Sequence, residues 1–390
     1  MKERTCIIIG GGYAGLNAVN AIKKKMSEIP VRIILIDKQP HHLRKVLLFK
    51  RASEGANISI PWSEIFSEDI SFLQGKVTGI ASQEKQLQYE DPQGNSHDIN
   101  YDILVVAVGS VIRKPSPEQG GIALTDLNAA ANIRQEWQTN LLKAAEETNT
   151  FERERLLTVA VAGAGISGIE TAAELAYTMK KEAVTLGIDP ADIRIFLVNA
   201  QDRLFPEGSA KVGRKLEHVL KENGVSVIHK CKVVQEKDGL LKMSDRKSIP
   251  VGLCVWTLGL LPSPALRSFG LPLTVDGQVM VDTSYRVKGA PGVYSIGDCA
   301  HIVDPVSGRT DRMTCKEAIP QAIRLAKVIM ADINNRPAPS HRAYMDLFCI
   351  GLGPERGMVW IRKWGLDFLI TGKLGWKIRE FTWDSASLIK

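Results

Sequence analysis

The chain has 390 residues, 44% of them hydrophobic and 24% charged, with a formal net charge of +7. It is too long for one ordinary core, so two or more domains are expected of a globular protein. No run of 18 apolar residues could span a bilayer, the six cysteines form no C-x-x-C pair, the seven histidines show no metal-ligand spacing, and the positive charge is not gathered in a tail. No metal and no nucleic-acid partner is expected. With no leader-like segment ahead of the first strand, a reduced, cytoplasmic protein is the expectation.

Ile7-Ile8-Ile9 runs straight into Gly10-Gly11-Gly12-Tyr13-Ala14-Gly15, and a helical stretch over 16–24 follows. Strand, tight turn and helix N-terminus in that order present free N–H groups and the positive end of a dipole to phosphate. Gly10 permits the turn, Gly12 lets backbone approach a pyrophosphate, and Gly15 lets helix and strand pack closely. One such motif is weak evidence. Here the next strand, over 31–36, ends in Asp37, whose carboxylate can take the ribose hydroxyls of an adenine dinucleotide. Residues 70–77 read as one strand, and 87–90 and 97–101 flank a Pro92-Gln93-Gly94-Asn95 turn, which predicts a hairpin. A buried strand over 102–108 ends in Gly109-Ser110, where the chain passes close to a cofactor or crosses to a second domain.

Asp126 caps a helix running to about residue 147, and 148–155 reads as a polar connection. A second motif follows: strand 156–162, the turn Gly163-Ala164-Gly165-Ile166-Ser167-Gly168, and an alanine-rich helix from Ile169. The next strand, Arg194–Val198, ends in Asn199. Two such units are far more specific than one and imply two facing nucleotide sites, one for a tightly held flavin dinucleotide and one for a nicotinamide donor. Beyond them come a helix over 211–223 closed by Gly224, strands over 225–228 and 253–258, the latter ending at Gly259, a strand entering Gly297-Asp298, and a helix over 316–333 interrupted at Pro320.

The segments 10–15, 101–110, 163–170, 256–259 and 293–299 carry a resemblance. By them the chain resembles the pyridine nucleotide–disulfide oxidoreductase superfamily, and within it the type II NADH dehydrogenases; apoptosis-inducing-factor-like flavoproteins are nearly as similar. The resemblance implies an α/β fold of two Rossmann-like domains: an FAD domain over 1–112 and 275–330, an inserted NAD(P)H domain with a connecting helix over 113–274, and a C-terminal region over 331–390. It implies non-covalent FAD, with Gly10, Gly12, Tyr13, Ala14, Gly15 and Asp37 at the ADP half. Val77 meets the adenine, Gly109 lies along the cofactor, and Gly297 and Asp298 stand at the ribityl–pyrophosphate region, with a helix from Ala300 aimed at phosphate. NADH or NADPH lies on Gly163, Gly165 and Gly168, with Asn199 at the adenosine ribose and Gly259 beside the cofactor. His41 and His42 are candidate flavin contacts. The redox C-x-x-x-x-C of the disulfide reductases is absent, because no cysteine lies between Cys6 and Cys231.

Two residues carry catalytic expectations by the same resemblance. Glu170 lies beside the isoalloxazine and handles the quinone or supplies protons for its reduction. Lys316 stabilises the reduced flavin or pairs with Glu170. Asn199 cannot repel a 2′-phosphate, and the paired glutamines of many quinone-active members are missing after Cys315-Lys316. The implied activity is hydride transfer from NAD(P)H to flavin N5, then two electrons to a quinone. The alternatives are an NADH-sensing flavoprotein and a reductase with a soluble protein acceptor.

Residues 356–390 hold four of the seven tryptophans: Trp360, Trp364, Trp376 and Trp383. Between Arg356 and Arg379 stand six basic residues and one acid, Asp367. On a helix Trp360, Trp364 and Phe368 would share a face, as would Leu374, Ile378 and Phe381. Tryptophan beside basic charge suits an anionic headgroup layer, and the expectation is peripheral contact with the inner face of the cell membrane. A homodimer contact by the same aromatics is the competing reading.

Overall fold

Two parallel sheets carry the fold, each built around a strand that runs into a glycine turn. The computed structural model describes residues 3–66 and 69–389. In chain order come β1 (Arg4–Ile9), α1 (Tyr13–Lys25), β2 (Val31–Asp37), α2 (Leu48–Glu54), β3 (Ile70–Gln74) and β4 (Ile103–Val106). Then follow α3 (Leu127–Glu146), α4 (Thr150–Leu156), β5 (Thr158–Ala162), α5 (Ile166–Thr185), β6 (Arg194–Val198), α6 (Ala210–Glu222), β7 (Val225–Ile228) and β8 (Leu253–Trp256). The chain closes with β9 (Val293–Ser295), α7 (Cys315–Ile333), β10 (Asp346–Gly351), β11 (Gly357–Lys363), β12 (Leu366–Thr371) and α8 (Gly372–Ala386).

The first sheet has the order β9-β4-β1-β2-β3, and the second runs from the short strand Ile122–Ala123 through β8-β5-β6-β7. In each, the glycine-turn strand is central and the order reverses beside it, which opens a crevice at the strands' carboxyl ends. β1, β4, β5 and β8 are apolar and buried along their length past the first residues of β1, as parallel strands covered on both faces must be. Ser110–Ile112 pairs antiparallel with Leu260–Pro262 and ties the two sheets together just past Gly109 and Gly259.

Several local expectations give way. The run 70–77 is two strands: β3 ends at Gln74, and Lys76–Ala81 turns into an antiparallel sheet with Gln86–Glu90 and Ser96–Asn100. Gly75 makes the break: its N–H donates to Asp37 O at 2.9 Å as the last rung of the first sheet, and a Cβ there would stand 2.6 Å from Tyr89 and 2.9 Å from Glu90 O of the next. The polar 148–155 stretch is mostly helix, because Asn149 caps α4 by accepting the N–H groups of Phe151 and Glu152. α7 runs unbroken through Pro320, which lies early enough that its missing N–H costs only the bond to the Lys316 carbonyl. No helix starts at Ala300; a 3-10 turn, Gly297–Cys299, leads into the short strand Ala300–His301.

The largest difference is at the C-terminus, where 356–371 is a hairpin and not a helix. β10, β11 and β12 form an antiparallel sheet in which Lys363 pairs with Leu366 across a two-residue turn. Both turn residues, Trp364 (φ +54) and Gly365 (φ +76), take positive φ, as such hairpin turns require. Trp360 is therefore separated from Trp364 and buried, edge-on to Phe205 at 5.1 Å. Trp376 and Trp383 on α8 are buried as well, 5.3 Å apart. Lys390, the end of the stretch, lies outside the described residues. Trp360→Ala should cost about 3–5 kcal/mol of stability, the usual penalty for emptying an aromatic site in a core; equilibrium denaturation against the unaltered protein measures it.

Candidate active site

Each glycine turn is closed by a carbonyl from the strand beside it. A Cβ on Gly10 would lie 2.5 Å from Ala107 O and one on Gly15 1.8 Å from Gly10 O; in the second turn Gly163 would meet Thr257 O at 2.4 Å and Gly168 would meet Gly163 O at 1.9 Å. Gly12 and Gly165 have nothing within 4 Å of that position. The backbone is thus packed where helix meets strand and open where a pyrophosphate would sit at each helix N-terminus. Gly109 (φ +65) and Gly259 (φ +84), past β4 and β8, are open in the same way.

Around the first turn the residues fit the ADP half of FAD. Asp37 accepts the N–H groups of Gly11 at 2.6 Å and Gln39 at 2.7 Å, which leaves lone pairs for ribose hydroxyls. Burial pushes its carboxyl up, and those N–H groups oppose the shift. Val77 follows Gly75 past the Asp37 end of β2 and is buried. The ring of Trp62 lies so close that a Cβ on Gly11 would stand 2.2 Å from it.

Toward the flavin end, Gly297 packs on the start of α1, with 2.7 Å between its would-be Cβ and Ala14. Its N–H donates to Gln321 at 2.7 Å, and Gln321 donates to Asp311. Asp298 accepts the Ser110 hydroxyl at 2.6 Å, and burial pushes its carboxyl up. Lys45 donates to Ser110 O at 2.8 Å; burial lowers its pKa while Asp298 raises it. Tyr13 stands edge-on to His42, with ring centres 5.1 Å apart. His42 is buried, and burial pushes its pKa down to about 4, so it is neutral. Its Nδ1 faces Gly11 O at 2.9 Å and must carry the proton, so Nε2 is an acceptor, buried and without a partner among the described residues. That orphan acceptor fits a bound hydroxyl-bearing group. His41 is only half-buried and pairs with Pro61 in a short strand.

At the second turn Asn199 is buried, and its amide is occupied. Nδ2 donates to Arg203 O at 2.9 Å and faces His229 Nδ1 at 3.0 Å, while Oδ1 accepts from Gln201 N at 3.2 Å. The side chain holds the 199–203 loop at the end of β6.

Glu170, on the first turns of α5, is buried and paired with Arg379 of α8. Arg379 Nε and Nη2 donate at 2.9 and 3.0 Å, and Gly351 N–H donates at 2.8 Å. Burial pushes the carboxyl up against the opposing pull of Arg379 and Gly351. Lys316 is not its partner. Lys316 donates to Leu347 O at 3.1 Å, lies 4.0 Å over the Phe348 ring, and is 3.7 Å from Glu317. Neighbouring Cys315 is half-buried, with desolvation pushing its thiol up to about 11, and all six cysteines are free. Arg379, Lys45 and Trp62 were beyond sequence reasoning, since no spacing signal joins α8 or the 38–62 segment to the turns they serve.

The family described as pyridine nucleotide-disulphide oxidoreductase matches residues 4–322. The chain is 24% identical to the type II NADH:quinone oxidoreductase of Staphylococcus haemolyticus, covering 95% of this chain and 92% of the relative. It is 25% identical to the demethylphylloquinone reductase NdbB of a Synechocystis strain, over 86% and 81% of the two. Among solved structures, NDH2 of Plasmodium falciparum in complex with NADH matches with a TM-score of 0.83 at 17% identity, over 98% of this chain and 94% of that one.

Arg379→Met should leave Glu170 as a buried carboxyl without its counter-charge and cost about 3–5 kcal/mol. Thermal unfolding, with proteolysis of α8 as a local readout, measures the loss. Adding Glu170→Gln should recover part of it.

Proposed function

Because the chain belongs to the pyridine nucleotide-disulphide oxidoreductase family, we propose that it is an FAD-dependent NAD(P)H:quinone oxidoreductase. The observation that carries this reading is the pair of open glycine cradles at the carboxyl ends of two linked parallel sheets. The names of the full-length relatives supply the acceptor class. The division proposed is an FAD domain over 1–112 and 275–330, an NAD(P)H domain over 113–274, and a C-terminal region over 331–390.

Bound FAD would supply the two-electron chemistry between nicotinamide and acceptor. Gly10, Gly12, Tyr13, Ala14, Gly15, Asp37 and Val77 hold its ADP half, and Gly109, Gly297 and Asp298 its middle. Gly163, Gly165, Gly168, Asn199 and Gly259 seat the nicotinamide dinucleotide. Asn199 offers no carboxylate to repel a 2′-phosphate, so both NADH and NADPH are accepted. Lys45 places a cation within reach of Asp298. Glu170 moves protons, and Arg379 positions it.

The purified protein should be yellow and bleached by NAD(P)H, and a quinone should restore the absorbance in anaerobic stopped flow. A colourless protein that takes up no FAD sinks the reading. Slow turnover with a long-lived flavin–NAD complex favours the sensor alternative.

The acceptor would come from a membrane met peripherally. No helix among the described residues is long and apolar enough to cross one. α8 and the hairpin join where Gly375 lies against Gly357 and Ile370, and they expose Trp364, Leu366, Phe368, Leu374 and Phe381. Lys363 stands 4.2 Å over the Trp364 ring, and Lys373 and Lys377 are exposed beside Leu374. Apolar rings among lysines suit an anionic headgroup layer. Sedimentation with anionic vesicles should capture the protein, and Trp364→Ser with Phe381→Ser should release it without loss of bound flavin. Failure to bind anionic or neutral vesicles, with a concentration-dependent dimer, would assign the face to a second copy.

A further inference from the structure

NAD(P)H, a quinone and one proton give NAD(P)+ and quinol. The hydride brings both electrons and one hydrogen, so each turnover draws one proton through the protein. Glu170 as it stands is a poor store for it. Three N–H donors, from Gly351 and Arg379, converge on its two oxygens, and none of these groups can accept from a carboxyl O–H.

One turn further along α5, about 5–6 Å away between Cβ atoms, stands a different carboxyl. Glu174 is 2% exposed, and its Oε2 is buried with no hydrogen-bond partner among the described residues. It feels Lys50 and Glu54 of α2 and Glu170 of its own helix, with Arg379 of α8 on the far side of Glu170. Lys50 Nζ is 3.5 Å from Glu54, which is 45% exposed at its side chain, and 4.8 Å over the Trp376 ring. A buried carboxylate oxygen without a donor is costly, whereas a neutral carboxyl there is much less so. Along its face of α5 the neighbours one turn away are Glu170 and Thr171, both buried, and Tyr177 and Thr178, exposed and half-buried, so Glu174 stands between the buried carboxyl and the surface.

We propose that Glu174 is the proton store of acceptor reduction, passing one proton per turnover to Glu170 and being refilled from solvent past Glu54. In the transfer the Glu174 O–H bond breaks and a Glu170 O–H bond forms. Neutral Glu170 holds Arg379 less strongly than the carboxylate does, which frees its proton for the acceptor oxygen and completes the quinol. The Glu174 carboxylate left behind is balanced by Lys50 until a proton from water restores it. Burial raises the Glu174 pKa to about 7 against the pull of Lys50, with Glu54 and Glu170 adding to the rise. The store therefore fills and empties near neutral pH.

The inference rests on the quinone-reductase reading, and the two fail separately. The test compares a short-chain quinone, which takes protons, with ferricyanide, which takes electrons alone, in the flavin-loaded protein from about pH 5 to about pH 9. Protonated Glu174 is the active form, so quinone turnover should fall as pH rises through about 7. Glu174→Gln should lower the quinone-to-ferricyanide ratio about tenfold at the acid end and remove the break, and formate should restore part of the ratio. Lys50→Met removes the cation that favours the carboxylate and should move the break to higher pH. An unchanged ratio and break in Glu174→Gln overturn the inference. Should that variant not fold, an unmoved break in Lys50→Met overturns it. An unaltered protein that reduces ferricyanide but no quinone overturns the proposed function itself, and the store with it.

Discussion

The buried pair between Glu170 and Arg379 governs how the C-terminal segment relates to the rest. Taking both charges out of water costs several kcal/mol each, and only close geometry with every polar atom satisfied offsets that. α5 supplies the carboxylate, β10 ends at Gly351 to supply an N–H, and α8 supplies the guanidinium. A side chain on Gly351 would stand 3.3 Å from Glu170 Oε1 and 3.5 Å from Trp376, so the small residue lets backbone, carboxylate and indole meet. Further bonds fix the segment to both halves. Asn223 at the end of α6 donates to Leu352 O, and Asp367 accepts from Ser209 N. On the other side Arg44 pairs with Asp384 and Asn17 donates to Ala386 O. The C-terminal segment thus staples the two nucleotide-type sheets together while completing the site between them.

The two glycine turns show how one backbone solution is used twice. Gly10 and Gly163 both have positive φ and both sit against a carbonyl of the neighbouring strand's exit, Ala107 in one case and Thr257 in the other. Gly15 and Gly168 both sit on the carbonyl of their own turn. What differs is the residue ending the next strand. Asp37 accepts two N–H groups and keeps capacity for hydroxyls, whereas Asn199 spends its amide on Arg203 O and His229. The first strand end keeps a charged acceptor free and the second does not, which fits the proposed resident cofactor and exchangeable substrate.

Much of this was legible in the sequence because it is local. Ile7 to Gly15 and Val159 to Gly168 specify strand, turn and helix within a dozen residues, and Asp126 caps α3 as expected. What was not legible depends on pairing over long separation. Nothing near Glu170 points to Arg379, 209 residues away, and Lys316, which opens a helix entering the same region of the chain's resemblance, was the natural wrong partner. The hairpin of β11 and β12 was hidden because Trp364-Gly365 lacks the Asn-Gly or Asp-Gly signature of a two-residue turn. A spacing of four between Trp360 and Trp364 then imitated a helix face. Gly75 ended what reads as one strand for a reason visible only in space, the close approach of Tyr89 and Glu90 to its backbone.

The aromatics of the last 30 or so residues divide by direction, and the division constrains the chemistry. Trp360, Trp376 and Trp383 point inward, while Trp364 (80% exposed) and Phe381 (71%) point outward. On α8 the inward face also carries Arg379, and Trp383 lies 4.9 Å under its guanidinium. One short helix therefore bears the counter-charge of the buried carboxylate on one side and an apolar, lysine-flanked surface on the other. Because a carboxylate stripped of its counter-charge in such a place takes up a proton, displacement of α8 and protonation of Glu170 favour each other.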